Sequence, residues 1–149
     1  MLSSDPVVRM RAADVIEKVS RRHPEYLQPF KWRVIDDLAP VSQQEVRWHV
    51  AQMFSYLSLT PQERDHVITL LFSWVDSDDA SRIVKVNSLQ TLAEFAYEDD
   101  NLKSQVVGTL QKVMEQGSPA MKARSKKLLK ELAAGAREDR GDFEADRRK

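Results

Sequence analysis

Asp5-Pro6-Val7-Val8-Arg9-Met10-Arg11-Ala12-Ala13 is the stretch on which the fold turns, because its Val8-Arg9 pair comes back three times. Val46-Arg47, Val84-Lys85 and Met121-Lys122 follow it at separations of 38, 38 and 37 residues. Four positions after the leading apolar residue stand Ala12, Val50, Ser88 and Ser125. Eight positions after it stand Ile16, Phe54, Leu92 and Leu129, and eleven after it Val19, Leu57, Phe95 and Leu132. Offsets of 0, 4, 8 and 11 trace one face of an α-helix, so the pattern predicts four helices sharing one buried stripe. A second register interleaves with the first: Phe30, Val67 and Val106; Val34, Leu71 and Leu110; Leu38, Val75 and Met114. Two helices in every 38 residues or so, with short connections, predict antiparallel helix pairs stacked side by side, each burying its apolar face on its neighbours. An unrelated seven-helix bundle is the alternative.

Start and stop signals divide the chain in the same way. Asp5-Pro6 opens a helix over about 5–22, since proline at the first helical position sacrifices no hydrogen bond. His23-Pro24 ends it and opens a second stretch to about Leu38, kinked or restarted at Pro29, which lacks a donor and crowds the preceding turn. Ser42-Gln43-Gln44-Glu45 and Thr60-Pro61-Gln62-Glu63 read as capping boxes. Further helices start near Asp79, at Asp99 or Asp100, and at Ser118-Pro119. No window alternates with the period of a strand, and the prediction is all-α. One domain is expected over 1–134. Residues 135–149 hold five bases, five acids and one large apolar side chain, and are expected to form a charged, disordered tail.

Composition narrows the function. At 149 residues, 42% apolar and 31% charged, the chain reads as one soluble domain with a charged surface. Lys+Arg and Asp+Glu balance at 23 each, so no global basic field exists to draw in nucleic acid or an anionic membrane. The absence of cysteine excludes a disulfide framework and thiolate chemistry, and fits a cytoplasmic setting. Charge is nevertheless segregated: +2 over 1–23, −5 over 24–79, −1 over 80–117 and +4 over 118–134. Lys122, Arg124, Lys126, Lys127 and Lys130 would meet an acidic partner or serve as a solvated cap. His23, His49 and His66 show no metal-ligand spacing, and the doublets Asp36-Asp37, Asp78-Asp79 and Asp99-Asp100 fall at helix ends, where carboxylates cap. No catalytic, cofactor or metal site is expected.

The opening stretch resembles the second helix of a HEAT repeat: an acid, a proline two residues before a valine, Val8-Arg9, then Ala12-Ala13. Pro119 before Met121-Lys122 repeats the proline offset, and Asp79 precedes Lys85 as the family's turn aspartate precedes its base. Gln44 and Arg82 stand where the family has proline, and Val41 where it has aspartate. The resemblance covers residues 5 to about 134 and implies a right-handed α-α superhelix of about seven helices in stacked antiparallel pairs. A lone second-type helix would come first, then pairs over about 24–58, 60–97 and 99–134. The tetratricopeptide pattern fits less well, its period being 34.

By the same resemblance, Arg9, Arg47, Lys85 and Lys122 brace successive repeats, and the second helices line a concave surface. The residues opposite the buried stripe would form its floor. They include Met10, Asp14, Glu17, Lys18 and Arg21; Trp48, Gln52, Ser55 and Tyr56; Val86, Gln90, Ala93, Glu94 and Tyr97; and Ala123, Lys127, Lys130 and Glu131. Aromatic rings supply anchor area and amides supply backbone-directed hydrogen bonds. Met10, Asp14, Trp48, Gln52, Tyr56, Gln90, Glu94, Tyr97 and Lys127 are therefore the expected contacts to an extended segment or helix of another protein. The competing reading makes Trp48 a wedge between repeats. The alternative function is a nucleic-acid-binding HEAT-like protein related to alkylation-repair DNA glycosylases. It needs a continuous positive face, and the net-negative middle of this chain argues against it.

Overall fold

Asp5 starts the first helix as its position before a proline requires: its carboxylate accepts from the amides of Val7 and Val8 at 2.8 and 3.4 Å. In the computed structural model, which describes residues 1–135, helix α1 runs Pro6–Arg22. The helices that follow are α2 (Gln44–Met53), α3 (Pro61–Asp76), α4 (Arg82–Ala96), α5 (Asp100–Gln116) and α6 (Pro119–Ala134). The described residues contain no strand, and the protein is all-helical. It divides into two compact units, Met1–Phe95 and the residues from Ala96 on. The charged tail expected after Gly135 lies outside the described residues.

In the first unit the helix expected over 24–38 does not form as one piece. Pro24–Tyr26 and Gln28–Phe30 are single tight turns, and Arg33–Leu38 is a wide helical stretch closed by Ala39 N–H donating to Val34 O at 3.2 Å. Pro24 and Pro29 each withhold a donor and obstruct the turn before them, which leaves room only for short pieces. Gln28 ties this segment down: its side-chain amide donates to Tyr56 O at 2.8 Å and accepts from Ser58 N–H at 3.0 Å.

The capping box at Thr60 is present in full. Glu63 N–H donates to the Thr60 hydroxyl at 3.3 Å, and Thr60 N–H to the Glu63 carboxylate at 2.8 Å. The one expected at Ser42 is not: α2 begins after Gln43 with no side-chain cap. The helix begins one residue later than the box requires, with Gln43 at its cap, and both glutamines tie to other elements. Gln43 binds Arg9 and Pro6, and Gln44 receives the amide of Ser81.

The second unit holds α5 and α6, which pack on each other; Leu102, Val106 and Leu110 are buried on α5, and Met121, Leu128 and Leu132 on α6. Gly117 makes the short link possible. A Cβ there would stand 2.6 Å from Val113 O and 3.2 Å from the Met121 Cβ.

The stripe read from the repeats is buried in three of its four copies. Val46, Val50, Phe54 and Leu57 are inside, as are Val84, Ser88 and Leu92, and Met121, Ser125 and Leu132; Phe95 and Leu129 are half-buried. The first copy corrects the expectation: Val8, Ile16 and Val19 are 49%, 37% and 43% exposed. In α1 the buried residues are Ala13, Glu17 and Ser20, because α1 packs on α2, while the apolar face is only partly covered by the segment after it.

Candidate functional site

Two small residues, Ala13 and Ser20, let α1 approach α2 closely, and Glu17 lies between them on the same face. Glu17, placed on the open floor by helical spacing alone, is in fact 1% exposed. Its carboxylate accepts from the Tyr56 hydroxyl at 2.6 Å and from Arg21 Nη2 and Nε at 2.8 and 3.1 Å. Burial works against the Arg21 charge, yet the hydrogen bond and charge of Glu17 hold its pKa above the ordinary arginine range. The Tyr56 ring is thus a strut between α1 and the end of α2, half-buried and already engaged.

Asp14, one turn before Glu17, accepts from Lys18 at 3.1 Å, and its other oxygen stands 3.9 Å from His49 Nε2. His49 is buried and its ring lies against that of Trp48, with centroids 3.5 Å apart. Trp48 itself is half-buried. Of the other expected contacts, Met10 is exposed and Gln52 is 6% exposed, an interior residue that cannot serve as an open floor. On α4, Gln90 donates to Glu94 at 3.2 Å. The structure therefore brings together Asp14, Trp48 and Tyr56, through Glu17 and His49. Tyr97, half-buried, and Lys127, with Nζ 3.8 Å from Glu131, stand in the second unit.

Several bases act as ties. Arg9 Nε donates to Gln43 Oε1 at 2.8 Å, and its Nη1 to the carbonyls of Ser3 and Ser4. The Arg47 guanidinium lies 5.3 Å from the Trp74 ring centre, and burial lowers its pKa. Lys122 donates to Glu115 O at 3.0 Å. Arg9 and Lys122 thus bond to a neighbouring turn or helix end, as braces do, whereas Arg47 rests on an aromatic ring with its Nε buried and unbonded.

A second surface was not legible as such in the sequence. Leu2, Val15, Ile16 and Val19 meet Tyr26 and Phe30 around a groove of about 510 Å3, with Arg33 the charged side chain among its described lining residues. Val15 and Tyr26 are each 59% exposed, and Trp32, with the Arg33 guanidinium 4.7 Å from its ring centre, is exposed beside them. The signal for it was the run Tyr26, Phe30, Trp32 between prolines, three large rings in a segment too broken to bury them.

No family model matches the chain, and no curated protein or solved structure is significantly similar to it. Among the described residues no group of three or more His, Asp or Glu side chains is placed to hold a metal, and no helix is long and apolar enough to cross a membrane.

Proposed function

We propose that this protein is a non-catalytic interaction scaffold, a HEAT-like stack of helix pairs that holds an extended segment or helix of another protein against its second-type helices. The observation that carries the reading is the spacing of the ties between α1, α2 and α4. Gln43 donates to Pro6 O and Ser81 N–H to Gln44, each across 37 residues. Tyr56 reaches Glu17 across 39 residues, and the Thr91 hydroxyl reaches Ala51 O across 40. Equivalent helices one repeat apart are thus bonded edge to edge twice over, which is how stacked repeats make an extended surface from units that cannot stand alone. The acids and bases that might have done chemistry at this surface, Asp14, Glu17, Arg9 and Arg21, are spent on those ties and on local ion pairs. Met10, Trp48, Gln90 and Glu94 are the contacts proposed for a segment, with Gln90 and Glu94 bonded to each other and Trp48 stacked on His49.

The test is retention of a partner from native extract by the tagged full chain, compared with Trp48→Ala and Met10→Glu. We expect both variants to keep the helical circular dichroism of the parent and to lose the protein that the parent retains. Equal retention by parent and variants would remove the floor from the reading, and loss of helicity in Trp48→Ala would make that ring core. Tyr56→Ala is a poor choice here, because it also cuts the strut to Glu17. We expect no salt-sensitive binding to duplex DNA; finding it would favour the glycosylase-like alternative.

A further inference from the structure

The apolar side of α1 lies away from the floor and is exposed over much of its length. Val8, Ala12, Val15 and Val19 follow one another at steps of four, three and four residues, the spacing of a coiled-coil seam. Val8, Val15 and Val19 are exposed, with Ala12 between them small enough to admit a close neighbour. The broken segment opposite raises a second wall from Tyr26, Phe30 and Val34, so the second half of the seam, Val15 and Val19, lines a groove rather than a flat face. The matching stripes on α2 and α4 are both inside the protein. A concave apolar groove walled by helical side chains takes a helix, whose side chains at four-residue spacing fill it.

Charge says which helix. Arg33 lines the groove, and Arg11, Lys18 and Arg22 follow along one edge of the seam at spacings of seven and four residues, all three exposed. Lys18 is engaged by Asp14 of its own helix, and Arg33 lies 3.9 Å from Asp37, leaving Arg11 and Arg22 as the main charges of the edge. Two copies of the chain paired antiparallel through α1 would set this basic edge against itself, which costs rather than gains. Residues 136–149 carry a single large apolar side chain, Phe143, and offer no stripe of their own. We propose that the groove between α1 and residues 24–38 seats an amphipathic helix of another protein, apolar at heptad spacing and acidic along the edge that faces Arg11, Arg22 and Arg33.

The probe is a labelled synthetic helix of about 18 residues with leucine at the a and d heptad positions and glutamate at e and g, read by fluorescence anisotropy against the full chain. A second peptide carries lysine at e and g. We expect the acidic peptide to bind with a dissociation constant of about 10 μM or tighter, as small interfaces do, and the lysine peptide at least about tenfold more weakly. Val15→Asp should abolish binding, and Arg11→Glu, which disturbs no packing, should weaken the acidic peptide and strengthen the basic one. Trp48→Ala should change nothing, which separates this groove from the floor proposed above. The proposal falls if neither peptide binds, if both bind alike, or if Val15→Asp binds as the parent does. It falls equally if the parent sediments as a dimer that Val15→Asp dissolves, because the face would then belong to a second copy.

Discussion

Helices α1 and α2 carry the same apolar offsets 38 residues apart, and one is wrapped while the other is half bare. Val46, Val50 and Phe54 are all completely buried, whereas Val8 and Val19 each keep more than two fifths of their surface in solvent. The difference is not in the helices themselves. Periodicity says that a helix has an apolar side; whether that side is buried depends on a neighbour that the helix does not encode. In α2 the neighbours come from both directions, and Phe54 stacks within 6.2 Å of Trp74. In α1 only the polar-looking face, with Glu17 at its centre, is fully closed over, and the apolar face is left half open beside Tyr26 and Phe30.

The comparison can be broken most directly by truncating matched positions. Phe54→Ala removes a fully buried ring and is expected to cost about 3–5 kcal/mol, while Ile16→Ala, at the same repeat offset, should cost about 1 kcal/mol or less. Denaturant midpoints at unchanged slope measure both. Similar losses would mean that α1's outer face is covered in solution after all.

Glu17→Ala comes next. It leaves Arg21 and the Tyr56 hydroxyl without their shared carboxylate on the one buried face of α1, for an expected loss of about 3 kcal/mol. A value near zero would show that small residues alone hold α1 to α2. The smallest effect concerns the Thr60 box. Hydrogen bonding from Lys31, with that from the Thr60 amide, holds the Glu63 pKa below the ordinary carboxylate value. A lowered folded-state value means that Glu63 stabilises the fold above its unfolded pKa and ceases to as pH falls through the folded one. Glu63→Gln should therefore lower Tm slightly at neutral pH, and the gap to the parent should close in acid. A gap independent of pH would assign the effect to the cap's shape and not to its charge.

Much of the architecture was legible. The two interleaved registers located α2 to α6, and Asp5, Thr60, Asp99 and Ser118 cap helices as their places before those helices predict. The segment 24–38 was legible only as trouble: two prolines announce a broken helix, but what replaces it is settled by the Gln28 tie to Tyr56 and Ser58, some thirty residues on. The candidate floor was legible in part. Steps of 100° put Glu17 beside Asp14 and Arg21, and it is indeed there. They could not show that Tyr56 would reach across and turn an outward acid into an inward one. Gln52 was misread for the related reason that spacing along α2 does not show which of its sides neighbouring elements close over.

Gly117 carries one last implication. With only Gly117 and Ser118 between α5 and α6, the phase of the final helix is locked to that of the one before it. The close approach of Gly117 to Val113 and Met121 holds that phase, so a side chain at 117 would push the two helices apart, and the hairpin is expected to tolerate substitution there poorly.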